Sequence, residues 1–248
     1  MADSDAVTTG QLVMVAVAVF AAGFVQVLAG FGFALLAMPL MTLSVPVDKA
    51  VVVSSLLGVV TSGWQAVHLR ADRDPELVKR LVGWAHLGMP LGLLVLLTVP
   101  DQAMKVILGV AVLIATALLI RQINLSHVGP GLDRVCGFLS GILNTSLSTN
   151  GPPLVFDLQA RHFDAARFRA TLVSTFALCY PVTLTLFIVS GKVNRDGVIA
   201  ALIAAPALVL GQALAWPLRR HVHGQRFRRL VISLLFAAGA STIVFAVT

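Results

Sequence analysis

Leu147-Ser148-Thr149-Asn150-Gly151-Pro152-Pro153-Leu154-Val155-Phe156-Asp157 is a polar, helix-breaking interruption inside an otherwise apolar run. At membrane depth such an interruption must be buried in protein or line a cavity, because lipid offers no partner to exposed backbone groups. Thr149 or Asn150 suits the cap of a following helix, and Pro152 suits its first position, where the missing N–H is no loss. The stretch predicts one helix ending and another beginning inside a bilayer. Free N–H groups and the positive dipole end of the second helix would then face the interior, where they favour an anion.

The bilayer follows from what surrounds the stretch. Charge-free runs recur at 10–47, 50–69, 81–100, 106–120, 135–156, 170–191, 197–218 and 230–248. Most of them reach the roughly 17–25 residues that a spanning helix needs. Only 12% of the 248 residues are charged, about half the share in a soluble domain, and mean hydropathy is +0.92. The chain reads as an all-α polytopic membrane protein. Its net charge of +7 does not point to nucleic acid, because the basic residues sit in short loops between apolar runs, as in cytoplasmic loops. Asp3 and Asp5, with no basic n-region, argue against a cleaved signal peptide at 1–30. Cys136 and Cys179 fall inside apolar runs and read as small core residues.

A second interruption lies at Gly30-Phe31-Gly32-Phe33, between a helix near 11–29 and a short one near 33–45. Helices near 49–69, 82–99 and 102–121 complete the first half. The connector 121–134, with Gly129-Pro130-Gly131, marks the midpoint. The second half repeats the pattern, with helices near 132–149, 152–160, 168–190, 197–217 and 229–247. An offset of 120 residues lays Gly30-Phe31-Gly32 on Asn150-Gly151-Pro152, and Ser54-Ser55 on Ser174-Thr175.

Charge then chooses the topology. If each break separates two helices, as two crossings or a re-entrant hairpin, loops 70–80, 121–134, 161–169 and 217–229 share one face and hold 14 of the 18 Lys and Arg residues. If each break interrupts a single crossing, the charge splits almost evenly. The K/R bias sets orientation, so the first arrangement is preferred, with the basic loops cytoplasmic and both termini outside. Each half then has five helical pieces, and the repeats 1–124 and 125–248 are inverted. Each repeat is a broken or re-entrant helix pair followed by three transmembrane helices, together forming one transport domain. Inverted repeats with discontinuous helices meeting near the midplane describe a secondary transporter.

The two breaks are the leading candidate site. Gly30 and Gly32 permit close backbone approach, against the plainer alternative that they only let helices pack. Phe31 and Phe33 line that break, while Ser148, Thr149, Asn150, Gly151 and Pro152 form the other. Ser54, Ser55, Ser174 and Thr175 line the same cavity or bond back to their own helices. Gln26 and Asn144 flank the breaks. His86 and Asp157 are candidates for proton coupling, though His86 also fits an interfacial position and Asp157 a salt bridge with Arg161. His221 and His223 in the Arg219–Arg229 loop are a weak metal signal without further ligands, so no metal site is assigned. No phosphate loop, zinc-protease motif or nucleophile elbow is present, so no enzyme activity or cofactor is expected.

These residues carry a family resemblance. Gly30-Phe31-Gly32-Phe33 with Pro39, Val45-Pro46, Ala50 and Ser54-Ser55 resembles the sulfite exporter TauE/SafE family of membrane permeases. So do Gly137-Phe138-Leu139-Ser140-Gly141, Thr149-Asn150-Gly151-Pro152-Pro153-Leu154 and Phe168-Arg169-Ala170-Thr171-Leu172. The resemblance covers almost the whole chain and implies movement of sulfite, sulfonates or other small anions across the cytoplasmic membrane, driven by an ion gradient. Two departures are visible. The family's first break is usually richer in glycine, and Asp157 stands where relatives often place an aromatic residue. The expected function is a secondary anion transporter working by alternating access, with the anion between the two breaks. A passive anion channel is the alternative. Expected partners are a small anionic substrate, the lipid bilayer, a coupling proton or sodium ion and, in a homodimer, a second copy; nucleic acid is not expected.

Overall fold

The computed structural model describes residues 8–29, 33–121, 129–161, 163–218 and 225–247, which form ten α-helices and no strand. They are α1 (Thr9–Ala29), α2 (Ala34–Met41), α3 (Val47–His68), α4 (Pro75–Thr98), α5 (Asp101–Arg121), α6 (Pro130–Leu147), α7 (Gly151–Ala160), α8 (Ala165–Val189), α9 (Arg195–Leu218) and α10 (Gln225–Val247). Six of them, α1, α3, α4, α5, α8 and α9, are long and apolar enough to cross a membrane. Gly30, Phe31 and Gly32 lie outside the described residues, and so do His221 and His223.

Every helix expected from the sequence is present, and the ends differ where caps act. α4 begins at Pro75, a turn and more before the apolar run, because the Asp74 carboxylate accepts the Leu77 N–H at 3.0 Å. α8 begins at Ala165 because Asp164 accepts from Ala166 and Arg167, both at 2.9 Å. α2 stops at Met41, short of the expected 45, where Thr42 and Ser44 turn their hydroxyls back onto the Pro39 and Met41 carbonyls. One expectation fails. Neither Thr149 nor Asn150 caps α7 through its side chain; Asn150 sits in helical geometry (φ −73°, ψ −8°) and its side-chain N–H groups have no partner in the protein.

At 1.5 Å per residue the 8-residue α2 and the 10-residue α7 span about 12 and 15 Å, half of a hydrocarbon core of about 30 Å. Each doubles back. Gln11, at the start of α1, donates to the Ser44 carbonyl just after α2 (2.7 Å), so the α1–α2 hairpin returns to the end where it began. In the second hairpin Asp133, in the first turn of α6, pairs with Arg161 at the end of α7. At the end holding Gln11, Asp101 accepts the Val47 N–H (2.6 Å), Lys192 meets Asp48 (3.3 Å) and Gln102 donates to the Ala246 carbonyl (2.6 Å). This is the terminal end, where α1 starts and α10 finishes. The opposite, basic end holds Arg80, Arg134, Arg161, Arg167 and Arg169, and Arg167 there reaches Asp74 at 2.6 Å. The charge-preferred topology, with each break separating two helices, agrees with both hairpins.

α3 and α8 cross at the centre. α4 packs on α6 and α8, α9 on α1 and α3, α5 on α10, and the short helices α2 and α7 lean on α10 and α5. The outer helices turn apolar side chains outward, among them Val17, Leu87, Leu94, Ile114, Leu202 and Phe245. A surface of that kind suits lipid. Between α4 and α6 the backbones nearly touch: a Cβ on Gly141 would overlap the Ala85 carbonyl, and one on Gly88 the Phe138 carbonyl. Small residues at helix seams are how membrane helices gain packing where no hydrophobic drive separates helix from lipid.

Candidate functional site

α6 ends at Ser148, the only described non-glycine residue with positive φ (53°, ψ 13°). Its N–H returns to the Asn144 carbonyl at 3.0 Å and the Thr149 N–H to that of Leu143 at 3.1 Å, so the last carbonyls of α6 are satisfied in the left-handed C-cap manner. Ser140 donates to the Asn150 carbonyl at 3.0 Å and fixes the turn from behind. Pro152 and Pro153 then open α7. They fit its first turn, but they also remove two of the N–H groups that a helix start normally presents. Side chains must supply donors there.

They come from α3, α6, α8 and the break itself. Ser55 on α3 faces Ser148, Oγ to Oγ at 3.4 Å. The Tyr180 ring occupies space that only a glycine at position 58 leaves open, since a Cβ there would lie 2.6 Å from Cζ. Asn144 donates to Thr183 at 2.6 Å. Ser54, Ser174, Thr149 and Asn150 are buried, and their side-chain donors have no partner within the protein. Thr175 instead bonds back to the Thr171 carbonyl at 2.9 Å, the ordinary helical habit. Gly151 is buried with the Phe176 ring 3.8 Å from where its Cβ would stand. Phe33 belongs to the main apolar core, packed among residues of α1, α2 and α3.

A cavity of about 610 Å³ opens toward the basic end between α1, α3, α8 and α9. Gln26 forms part of its wall, accepting from Gln212 at 3.0 Å, and Phe176 joins it to Gly151 of the second break. At the terminal end a smaller space of about 220 Å³ lies beside Asp48, Asp101 and Lys192.

Asp157 is fully buried and pairs with Arg161 at 3.4 Å, as the sequence allowed. The sequence did not disclose the rest of the cluster. Arg161 also binds Asp133, equally buried, which receives Arg80 from α4 at 3.1 Å. These four groups tie α4, α6 and α7 together at the basic end. His86 lies apart from the breaks on α4, with Nε2 3.4 Å from the Leu178 carbonyl of α8. Tyr180, Phe176, Gln212 and the cavity wall also escaped the sequence reading; a lone tyrosine in an apolar run was the one available signal. Among the described residues no cluster of His, Cys, Asp and Glu is arranged to hold a metal.

The profile of the family described as Sulfite exporter TauE/SafE matches residues 15–242. The chain is 28% identical over 116 residues to a probable inner membrane transporter protein TsaS of Comamonas testosteroni, covering 46% of each protein. It is 24% identical over 234 residues to a probable sulfite/organosulfonate exporter TauE of Cupriavidus necator, covering 91% of each. The first of these alignments thus spans about half the length of that relative. No solved structure matches the chain.

Proposed function

The chain belongs to the sulfite exporter TauE/SafE family, and from that premise we propose that it is a secondary transporter of small anions, sulfonate- or sulfite-like above all. The observation that carries this reading is a set of buried donors without a protein partner, two of them at the second break: the hydroxyls of Ser54, Ser174 and Thr149 and the amide of Asn150. Each such orphan costs about 1–3 kcal/mol, and native proteins hold few of them. An oxyanion accepting from several would offset those costs. The positive end of α7 adds to the attraction without placing a cation in the membrane. The first break, Gly30-Phe31-Gly32, supplies the other wall of the site in this proposal.

Two inverted repeats underlie the mechanism. In support, α4 and α9 are both 24 residues long and stand 120 residues apart at each end. The helix pairs also exchange under that offset: α4 with α6 answers α9 with α1, and α5 with α7 answers α10 with α2. α1 starts at the terminal end and α6 at the basic end, as inversion requires. Ser54 and Ser174 share the offset and the lack of a partner.

Alternating access draws its support from where the two halves differ. Val27 and Trp216 line the open cavity, whereas their counterparts Leu147 and Leu96 are buried in one apolar cluster, Leu96 beside the smaller terminal space. Equivalent residues thus border a wide cavity at one end and a much smaller space or packed core at the other. Exchange of the two packings would move the opening across the molecule. The positive-inside rule puts the basic end in the cytoplasm, so the cavity faces inward and both termini lie outside.

Proteoliposomes test the proposal. Uphill accumulation of methanesulfonate or sulfite under an imposed proton or sodium gradient is expected, and flux that only follows voltage would indicate a channel instead. The Asn150→Leu, Gly151→Leu double variant should lose binding of these anions to purified protein. Undiminished binding would exclude the breaks as the site.

A further inference from the structure

The cavity at the basic end has a composition that a bare inorganic anion does not explain. We propose that it is a vestibular subsite selecting anions that carry an apolar, ring-sized body, with the charged head at Arg169 and the body against Phe176 and Trp216. This rests on the reading above that anions bind at the breaks, and it narrows the substrate class to organic anions of aryl size.

Three observations support it. Sulfite has four heavy atoms, whereas a cavity of about 610 Å³ lies within the range of pockets that enclose whole organic ligands. Its wall is mostly apolar, with Leu172, Val173 and Phe176 from α8 meeting Trp216 from α9. A small hydrated anion gains nothing from such a wall, while an aryl group leaving water for it gains in proportion to the area buried. Arg169 is the charged group on the wall, and no carboxylate is among its described lining residues. Arginine suits a planar or forked array of oxygens, as a sulfonate or carboxylate provides. His68 sits at the mouth, its ring centroid 3.8 Å from that of Trp64.

The cavity also leads to the transport site. Phe176 touches the ligand space on one side and the Gly151 position on the other, and Gln26 stands one turn before the first break. An aryl anion held here would lie against the same ring that borders Gly151 of the break.

Tryptophan fluorescence reads the subsite directly, since two of the three tryptophans, Trp64 and Trp216, line it and the third, Trp84, does not. Purified full-length protein in detergent is titrated with methanesulfonate, benzenesulfonate, 4-nitrobenzenesulfonate and the neutral nitrobenzene. Benzenesulfonate should bind about tenfold or more tightly than methanesulfonate. Nitrobenzenesulfonate should quench the emission, with quenching reduced in Trp216→Phe. Phe176→Leu, which keeps the apolar filling, should shrink the aryl advantage. Arg169→Gln should erase the preference for nitrobenzenesulfonate over nitrobenzene, and Arg169→Lys should restore part of it; a melting curve for each variant confirms folding. Equal affinities for methanesulfonate and benzenesulfonate would overturn the proposal. So would an aryl advantage that survives both Phe176→Leu and Arg169→Gln. Loss of quenching in nanodiscs containing phosphatidylglycerol, with retention in phosphatidylcholine, would assign the cavity to an anionic lipid and also overturn it. If none of the sulfonates binds, the transporter reading itself falls; if methanesulfonate binds and only the aryl advantage is missing, this inference alone fails.

Discussion

Thr149 separates a packing role from a binding role within one side chain. Its hydroxyl is buried at the break with no partner in the protein, so it burdens the fold unless something else uses it. Thr149→Val keeps the shape and removes the oxygen. Thermal melts should hold or rise, by an amount corresponding to about 1–3 kcal/mol, while anion affinity should fall roughly tenfold. A variant that melts higher and binds equally well would make Thr149 a packing residue only. Asp133 gives the opposite result for stability. It is fully buried and takes both Arg80 and Arg161, so Asp133→Asn leaves two guanidinium groups facing a neutral amide. Breaking a buried pair of this kind costs about 3–5 kcal/mol. Asp157→Asn loses one contact at 3.4 Å and should cost about 1 kcal/mol, as hydrogen bonds typically do. Melting curves of the two variants in the same detergent should fall in that order.

Elements are held by two devices whose failures look different. Along the α4–α6 seam, Gly141 and Gly88 admit a carbonyl of the opposing helix at backbone contact. Gly141→Val should abolish the folded protein, seen as aggregation on size exclusion. Gly83→Val, on α4 with nothing within 4 Å of the new carbon, should leave it monodisperse, since valine is no worse a helix former than glycine. Asp74 ties α4 to α8 instead. Burial pushes its carboxyl up, but the Leu77 N–H and the Arg167 guanidinium outweigh that and hold it below the usual carboxylate range. Because the folded value is lowered, the stabilisation is present at neutral pH and is lost as pH falls through it. The melting difference between the natural chain and Asp74→Asn, which still caps, should therefore shrink below about pH 4 and stay constant above about pH 6. Elements of the first kind were legible in the sequence. Apolar runs, prolines and two glycine-rich breaks mark every helix, and charge counting alone favours the hairpins. The caps at Asp74 and Asp164 lie in charged turns outside those runs, so the helices they extend look shorter in sequence than they are. The site was legible by half. Polar residues in an apolar run announce themselves, as Ser148, Asn150, Ser54 and Ser174 do. Phe176 and Leu172 are indistinguishable from core until the tertiary fold sets α8 across from α9. Asp133 reads as part of a loop because Arg80 and Arg161 reach it only through the packing of three helices.

For the molecule as a whole, the proposed inverted repeat turns on two ends that are packed differently around residues 120 positions apart. Val27 and Trp216 face the cavity at the basic end, whereas Leu147 and Leu96 are buried at the terminal end, Leu96 beside the small space there. A transporter must populate the reverse arrangement as well, and a ligand shifts that balance only if it binds the two states unequally. A channel has no need of the reversal. Single cysteines at the four positions distinguish these outcomes, since the natural Cys136 and Cys179 are buried and give little background. In inside-out vesicles a membrane-impermeant maleimide should label Val27→Cys and Trp216→Cys. In right-side-out vesicles Leu147→Cys and Leu96→Cys should stay unlabelled without substrate. Adding a transported sulfonate with its driving gradient should slow labelling of the first pair and raise that of the second, because both pairs report one equilibrium. A balance moved from 1:99 to 99:1 needs about 10⁴-fold tighter binding to the favoured state, so a partial shift of several-fold in rate is the expected scale. Labelling of all four positions at once, unchanged by substrate, would describe a continuous pore and end the alternating-access mechanism. Protection of the first pair with no gain in the second would mean that substrate fills the inward cavity without turning the molecule over.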